Sequence, residues 1–402
     1  MLIYVYRLIE PGKITMQRKL GLTLATALMM FPQVVETIYS PALTDIAKGF
    51  KVSAEQAAQT LSLYFFAFAI GVVIWGRMCD LIGRRPTILS GLLLYSGASL
   101  MALFSSQFEL LLVARMLSAF GAAVGSIGTQ TMMRDSYQGS ELARVFSVMG
   151  IALAVSPAVG MMSGAVLVYL GGYKVVFFGL SLLAVLLSGW SAIYLPETRP
   201  ATVVIMPLTS TLIMMFKDVA IWRNALLIAL FNLCLFSYYQ LAPFNFERLG
   251  FSSEMFGYTG LLLALGSGAG AWSNKFLLNK KWRSSNSVLL AAIILLIGGG
   301  MIMALEATWF FILPMILIVV AYGIAIPNIL ASALIDYTDR LGTAGALFGL
   351  LYYLILGGGL ALAGWSQRLS VVLVFCGCFI LLLAVINCLI LIKSVINTSI
   401  TE

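Results

Sequence analysis

The chain is built from apolar runs about as long as a bilayer is thick. A helix needs about 20 mostly apolar residues to cross the hydrocarbon core. Twelve such runs can be read: 20–40, 56–76, 86–105, 108–131, 142–168, 172–195, 222–244, 255–276, 286–305, 309–332, 343–364 and 369–393. In hydrocarbon every backbone N–H and C=O must be paired within the protein, and a helix does this locally. The prediction is an all-α integral membrane protein with twelve transmembrane helices. A membrane β-barrel would show short alternating segments instead. Composition agrees, with 61% hydrophobic and 10% charged residues; soluble domains have about 45–50% and about 25%. Two runs have the weakest signal: the first carries Glu36, and the eighth is rich in glycine and serine.

An even number of spans puts both termini on one side. If that side is cytoplasmic, 18 of the 24 lysines and arginines fall in inside segments. Five lie outside (Lys48, Lys51, Lys174, Arg248, Arg368), and Arg115 lies within a span. This bias sets the expected orientation. It also accounts for the net charge of +8 without nucleic acid. The longest inside stretch, 196–221, opens with Pro196-Glu197-Thr198-Arg199-Pro200, where proline ends a helix sharply. The expected organisation is therefore a cytoplasmic segment 1–19, a six-helix bundle 20–195, a cytoplasmic linker 196–221, a second six-helix bundle 222–393 and a cytoplasmic tail 394–402. Arg7 and Glu10 interrupt the only apolar run before residue 19, so no signal peptide is expected, and Met16 would also serve as a start. There is no histidine, and the five cysteines lack zinc-site spacing, so no metal site and no cofactor are expected. Proton chemistry inside the membrane would fall to carboxylates.

The most informative polar island is Gly76-Arg77-Met78-Cys79-Asp80-Leu81-Ile82-Gly83-Arg84-Arg85-Pro86. Gly76 and Gly83 are expected to allow a tight reversal, and Pro86 to sit at the start of the next helix. Other segments point the same way. Tyr39-Ser40-Pro41-Ala42-Leu43 ends the first span, Arg115 lies in the fourth and Arg134-Asp135-x-Tyr137 leaves it. Ser156-Pro157-Ala158-Val159-Gly160 lies in the fifth, Ala242-Pro243-Phe244 ends the seventh and Pro327-Asn328 lies in the tenth. Gly342-Thr343-Ala344-Gly345-Ala346 opens the eleventh. Together these resemble the bicyclomycin-resistance (Bcr/CflA) type of major facilitator drug:proton antiporter, over about residues 20–393.

The resemblance implies the major facilitator fold of two pseudo-symmetric six-helix bundles. It implies a monomer in a bacterial inner membrane, working by alternating access and exporting small molecules against protons. The cargo class, drug or siderophore-like, does not carry over. Two departures stand out. Ser156 replaces the glycine usual before Pro157, which with Gly160 forms the antiporter motif. The family's acid, four residues before the first-span proline, falls on Thr37, and the acid here is its neighbour Glu36. One residue is about 100° around a helix. Either the longer glutamate reaches the same cavity from a rotated origin, or the coupling differs.

Glu36 is the only acid well inside a span, and such a charge costs roughly 2.5–3.5 kcal/mol on insertion scales. It is read as the proton site; the competing reading has it reaching headgroup water. Arg115 is its expected partner. At about 1.5 Å per residue the two lie roughly 8 and 11 Å from the same membrane face. That pair is either a structural salt bridge or, as the resemblance implies, part of proton coupling. Asp80 is expected to face the positive amino-terminal end of the eleventh helix near Gly342–Gly345 and to pair with Arg134 or Arg144. With Gly76, Gly83, Arg84 and Arg85 it would form a cytoplasmic gate. Phe65, Asn232, Phe236, Tyr238, Tyr239, Gln240, Asn328, Tyr352 and Tyr353 are cavity candidates, since aromatic faces with a few amides suit amphipathic cargo; packing is the alternative for each. Glycine pairs 121/125, 160/164, 266/270 and 345/349 are expected at close helix contacts, and Gly357–Gly359 as a bendable segment. Proton-symport import is the alternative function. An enzyme is disfavoured, because no phosphate-binding loop, metal motif or nucleophile turn is found.

Overall fold

The computed structural model describes residues 20–200 and 207–401. The expected segment 1–19 and residues 201–206 of the linker lie outside the described residues. Thirteen α-helices follow in order. They are α1 (Leu22–Tyr39), α2 (Leu43–Phe50), α3 (Ala54–Ile82), α4 (Arg84–Leu103), α5 (Phe108–Ser136), α6 (Gly139–Tyr194), α7 (Leu208–Lys217), α8 (Val219–Arg248), α9 (Ser253–Asn279), α10 (Ser284–Leu305), α11 (Ile312–Ala333), α12 (Leu341–Ser366) and α13 (Leu369–Thr401).

Ten of these segments are apolar and long enough to cross a membrane. The other two of the twelve have physical explanations. The 56 residues of α6 would make a rod of about 84 Å, far beyond the ~30 Å hydrocarbon core. Gly171 and Gly172 leave helical geometry, Gly172 at φ 70°, and divide α6 into the fifth and sixth spans. The side chain of Asp45 caps the restart, accepting from the Tyr173 N–H at 2.6 Å. The eighth span, α9, falls short on hydropathy because of its glycines and serines, yet it packs between α6 and α11. Leu93, Leu186 and Leu265 are exposed on the outside of the bundle, as a lipid-facing surface requires.

The chain forms two six-span halves, α1–α6 and α8–α13, with α7 between them. Two seams join them: α3 runs along α12, and α6 along α9. Where the helices meet, small residues let backbones touch. A Cβ on Gly160 would collide with Thr37 Oγ1 and come within 2.8 Å of the Val34 carbonyl oxygen; one on Gly164 would collide with the Ile38 carbonyl oxygen. Gly257 and Gly260 of α9 meet Met161, Ala165 and Ala158 on α6. Gly121, Gly125, Gly266 and Gly270 are similarly tight, whereas Gly345 has only Leu334 at 3.9 Å. Gly357 and Gly359 are contact points for Phe66 and Leu233, and α12 stays helical through them instead of bending.

Three boundaries differ from the sequence reading. The expected loop from Gly76 is helix as far as Ile82, and only Gly83, at φ 108°, turns the chain. Gly76 is an interior helical residue against Ile127 and Ala346. Pro86 is the third residue of α4, still within the first turn where its missing N–H costs nothing. The last helix continues past 393 to Thr401.

The close contact of α6 with α1 gives a test. Gly164→Ala should lower stability by about 1–3 kcal/mol, the usual cost of overpacking. Gly150→Ala on the same helix meets nothing within 4 Å and should leave stability unchanged or raise it slightly, since alanine is the better helix former. Thermal unfolding in detergent reads both; equal effects would mean the seam is not tight.

Candidate functional site

Chain direction defines two rims. The near rim holds the amino-terminal end of α1; the far rim holds Ser40 and α2. A cavity of about 220 Å³ lies between the halves. Its wall takes Met29, Pro32, Gln33 and Glu36 from α1, Phe65 and Phe68 from α3, and Ser126 and Gln130 from α5. Leu153 comes from α6, Ile228, Asn232 and Phe236 from α8, Tyr322, Ile326 and Leu330 from α11, and Tyr352 and Tyr353 from α12. Gln130 and Leu330 lie toward the near-rim ends of α5 and α11, so the cavity extends from mid-membrane toward that rim.

An aromatic group drawn from both halves forms its deep end. The Phe65 and Phe236 rings are 4.7 Å apart, Phe68 and Tyr353 4.9 Å, and Tyr352 and Tyr353 4.2 Å. Tyr322 donates a 3.2 Å hydrogen bond to Asn232 Oδ1, and Asn232 Nδ2 donates to the Ile228 carbonyl at 2.8 Å.

Beyond this group the far rim is held shut by polar contacts between the halves. Gln240 Nε2 donates across the halves to the Ala58 carbonyl (2.8 Å) and, within the second half, to that of Leu360 (3.0 Å). Ser40 donates to the Tyr239 carbonyl, Ser62 to that of Gly357 at 2.8 Å and Gln59 to that of Ala361 at 3.1 Å. Lys48 and Glu247 form an ion pair at 2.5 Å.

Of the cavity candidates, Phe65, Asn232, Phe236, Tyr352 and Tyr353 line the wall. Gln240 and the Tyr239 backbone belong to the far-rim contacts instead. Tyr238 shares a 2.7 Å hydrogen bond with Thr259 and packs within the second half. Asn328 donates to Asn274 Oδ1 at 2.7 Å, between α11 and α9. Sequence reading missed Gln33, Gln130 and Tyr322. Gln33 stands three residues before Glu36, on the same helix face, and was the readable one.

Glu36 and Arg115 are both buried, 8% and 1% exposed. They do not form a salt bridge, the structural alternative that the sequence left open for this pair. Oε1 of Glu36 and Nε and Nη2 of Arg115 have no hydrogen-bond partner among the described residues. The guanidinium carbon sits 3.8 Å from the Tyr39 ring centroid and 4.6 Å from that of Tyr64. Thr37, the position of the family acid, is buried against Gly160 and bonds back to the Gln33 carbonyl at 2.8 Å. It faces α6, and Glu36 faces the cavity. Ser156 and Pro157 lie in the same helix as Gly160, and the Ser156 hydroxyl donates to the Ala152 carbonyl at 2.8 Å.

At the near rim the expected partners of Asp80 change. Asp80 lies across a small pocket from Gly342 and Thr343, in the first turn of α12. Its ion pair is with Arg84 (3.4 Å), not with Arg134 or Arg144. Arg84 also binds Asp135 Oδ2 at 2.8 Å and the Cys79 carbonyl at 2.8 Å. Arg134 is exposed and lies over the Phe146 ring at 5.8 Å, and Arg144 is exposed. Glu197 caps α4, accepting from the N–H groups of Arg84 (2.9 Å) and Arg85 (3.1 Å). The helix start favours such a carboxylate.

The Gln240 bonds generate a prediction. Only the bond to Ala58 crosses the halves; one bond at about 0.5–1.5 kcal/mol corresponds to a population shift of roughly 2–13-fold. Gln240→Leu should therefore enlarge the far-rim-open population. Spin labels at positions 51 and 368, read by pulsed distance measurement, should gain a longer component. An unchanged distance distribution would show that Gln240 holds nothing shut.

The sequence profile of the Major Facilitator Superfamily matches residues 22–361. An uncharacterized transporter of Rickettsia felis is 31% identical over 350 residues, covering 82% of this chain and 85% of that protein. The chloramphenicol resistance protein of Pseudomonas aeruginosa is 29% identical over 332 residues, covering 80% and 78%. The crystal structure of a D-xylose-proton symporter superposes with a TM-score of 0.68 at 15% identity, covering 90% of this chain and 95% of that one. Two six-span halves around one cavity, with this match over most of the length, make the chain a transporter of the major facilitator superfamily.

Proposed function

We propose that this protein exports small amphipathic organic molecules, drug-like or siderophore-like, in exchange for protons. One observation carries the reading: Glu36, a buried carboxyl with an unpartnered oxygen, stands in the wall of the cavity between the halves. The aromatic and amide lining suits cargo with rings and a few polar groups. A relative of resistance type supports drug-like cargo.

The near rim is the cytoplasmic side of a bacterial inner membrane, since it carries most of the basic residues, and the described chain ends, Leu20 and Thr401, lie there. The cavity then faces inward, and the far-rim contacts close the periplasmic side. A bare carboxylate is costly to carry through a dry transition. In the outward state Glu36 takes a proton from periplasmic water and crosses neutral. Facing inward, it releases the proton, and the renewed charge beside Arg115 favours binding of the next cargo molecule. Asp80, Arg84 and Asp135, with Arg85 and Arg134 near them, form the gate that closes the near rim when the far rim opens. A monomer contains every part.

In proteoliposomes with an acid lumen, the wild type should accumulate ethidium or chloramphenicol, and Glu36→Gln should not. Cargo-for-cargo exchange should survive in Glu36→Gln within a few-fold, since the neutral amide mimics the protonated acid. Adding Thr37→Asp to Glu36→Gln should not restore accumulation, because residue 37 faces Gly160. Wild-type accumulation by Glu36→Gln would remove Glu36 from coupling, and accumulation only with the opposite gradient would make the protein a symport importer.

A further inference from the structure

The reading of Glu36 as the proton site leaves open what keeps Arg115 from neutralising it. A guanidinium buried without a carboxylate partner must be stabilised some other way. Here the faces of Tyr39 and Tyr64 supply it, at 3.8 and 4.6 Å from the guanidinium carbon. Such attraction is strongest when desolvated, and both tyrosines are 0% exposed. Neither phenol hydroxyl has a hydrogen-bond partner among the described residues. The neighbouring Thr60 hydroxyl donates to the Ala57 carbonyl at 2.6 Å. The contribution of each tyrosine to Arg115 is therefore its ring, not its hydroxyl.

Position reinforces this. Tyr39 is three residues after Glu36, on the same face of α1, and Tyr64 comes from α3. Arg115 comes from α5, so three helices converge on one charge. Arg115 is the charged group set against Glu36. The other ionisable groups around the pair are phenols: Tyr95 on α4, Tyr239 on α8, Tyr322 on α11 and Tyr353 on α12. α6 meets this part of α1 through Gly160 and Gly164. No second acid or base in this group shares the work of holding Arg115.

We propose that Tyr39 and Tyr64 are positioning residues for proton coupling. Their rings hold Arg115 by its face, so that its N–H edge is not committed to Glu36 and the carboxyl stays free to gain and lose a proton. Without a ring, Arg115 would settle into an ion pair with Glu36 and hold it ionised. An opposite charge at contact distance lowers a carboxyl's protonation midpoint by about 1–3 pH units. The proposal rests on the reading of Glu36 above.

The test reads the Glu36 carboxyl directly and needs no cargo. Difference infrared spectra of the reconstituted full-length protein are titrated, and the protonated-carboxyl C=O band that Glu36→Gln removes is assigned to Glu36. Tyr39→Phe and Tyr64→Phe keep the ring and should titrate with the wild-type midpoint. Tyr39→Leu and Tyr64→Leu should move the midpoint about 1–3 pH units toward acid. Where a leucine variant does not insert, methionine, similar in bulk and without a ring, takes its place. Ring-free variants with the wild-type midpoint, or phenylalanine variants shifted as far as leucine, overturn the proposal. If no band depends on Glu36, the underlying reading fails instead.

Discussion

The structure depends on two opposite charges buried near each other without an ion pair. Membrane interiors make each costly alone, and a direct salt bridge is the usual remedy. Here Arg115 is held by the rings of Tyr39 and Tyr64, while Glu36 turns to the cavity. A paired carboxylate would be an inert strut. On the proposed reading, an unpaired one beside a cation responds to whatever enters the cavity, whether a proton or cargo.

That sensitivity matters only if the cavity reaches one side at a time. Two kinds of contact supply this. The glycine seam between the halves, Gly257 and Gly260 of α9 against α6, is a shape contact with little polar content, as is the packing of Gly160 and Gly164 on α1 within the first half. They permit helices to rock without breaking strong bonds. The far-rim contacts are the reverse: few, polar and discrete. Gln240, Ser40, Ser62 and Gln59 each donate to a backbone carbonyl across the halves. Such bonds are worth about 1 kcal/mol apiece, enough to bias two states without locking either.

Much of this was readable in the chain, because the bilayer fixes helix length and leaves few alternatives. The twelve spans, and Glu36 and Arg115 as buried charges, follow from where polar residues interrupt apolar runs. Side-chain direction was harder to read. Tyr238, Tyr239 and Gln240 follow one another on α8, and successive residues point about 100° apart. One packs against Thr259, one offers its backbone to Ser40 and one bridges to Ala58 and Leu360. Composition made them look alike. The partner of Asp80 was misjudged because Arg84 lies on the helix across the turn; Gly83 at φ 108° folds it back. That Glu36 and Arg115 could touch was read from depth alone, and depth carries no information about the Tyr39 and Tyr64 rings that hold the guanidinium.

Coupling is reciprocal: if a proton gradient drives cargo, a cargo gradient must drive protons the other way. The most direct measurement is therefore lumenal pH in proteoliposomes with no initial pH gradient. Chloramphenicol or ethidium, whichever the wild type accumulates, is loaded on one side, and a trapped pH-sensitive dye reports the lumen. The account predicts proton movement opposite to cargo in the wild type and none in Glu36→Gln. Cargo flux with no proton movement in the wild type, or equal proton movement in both proteins, would contradict it.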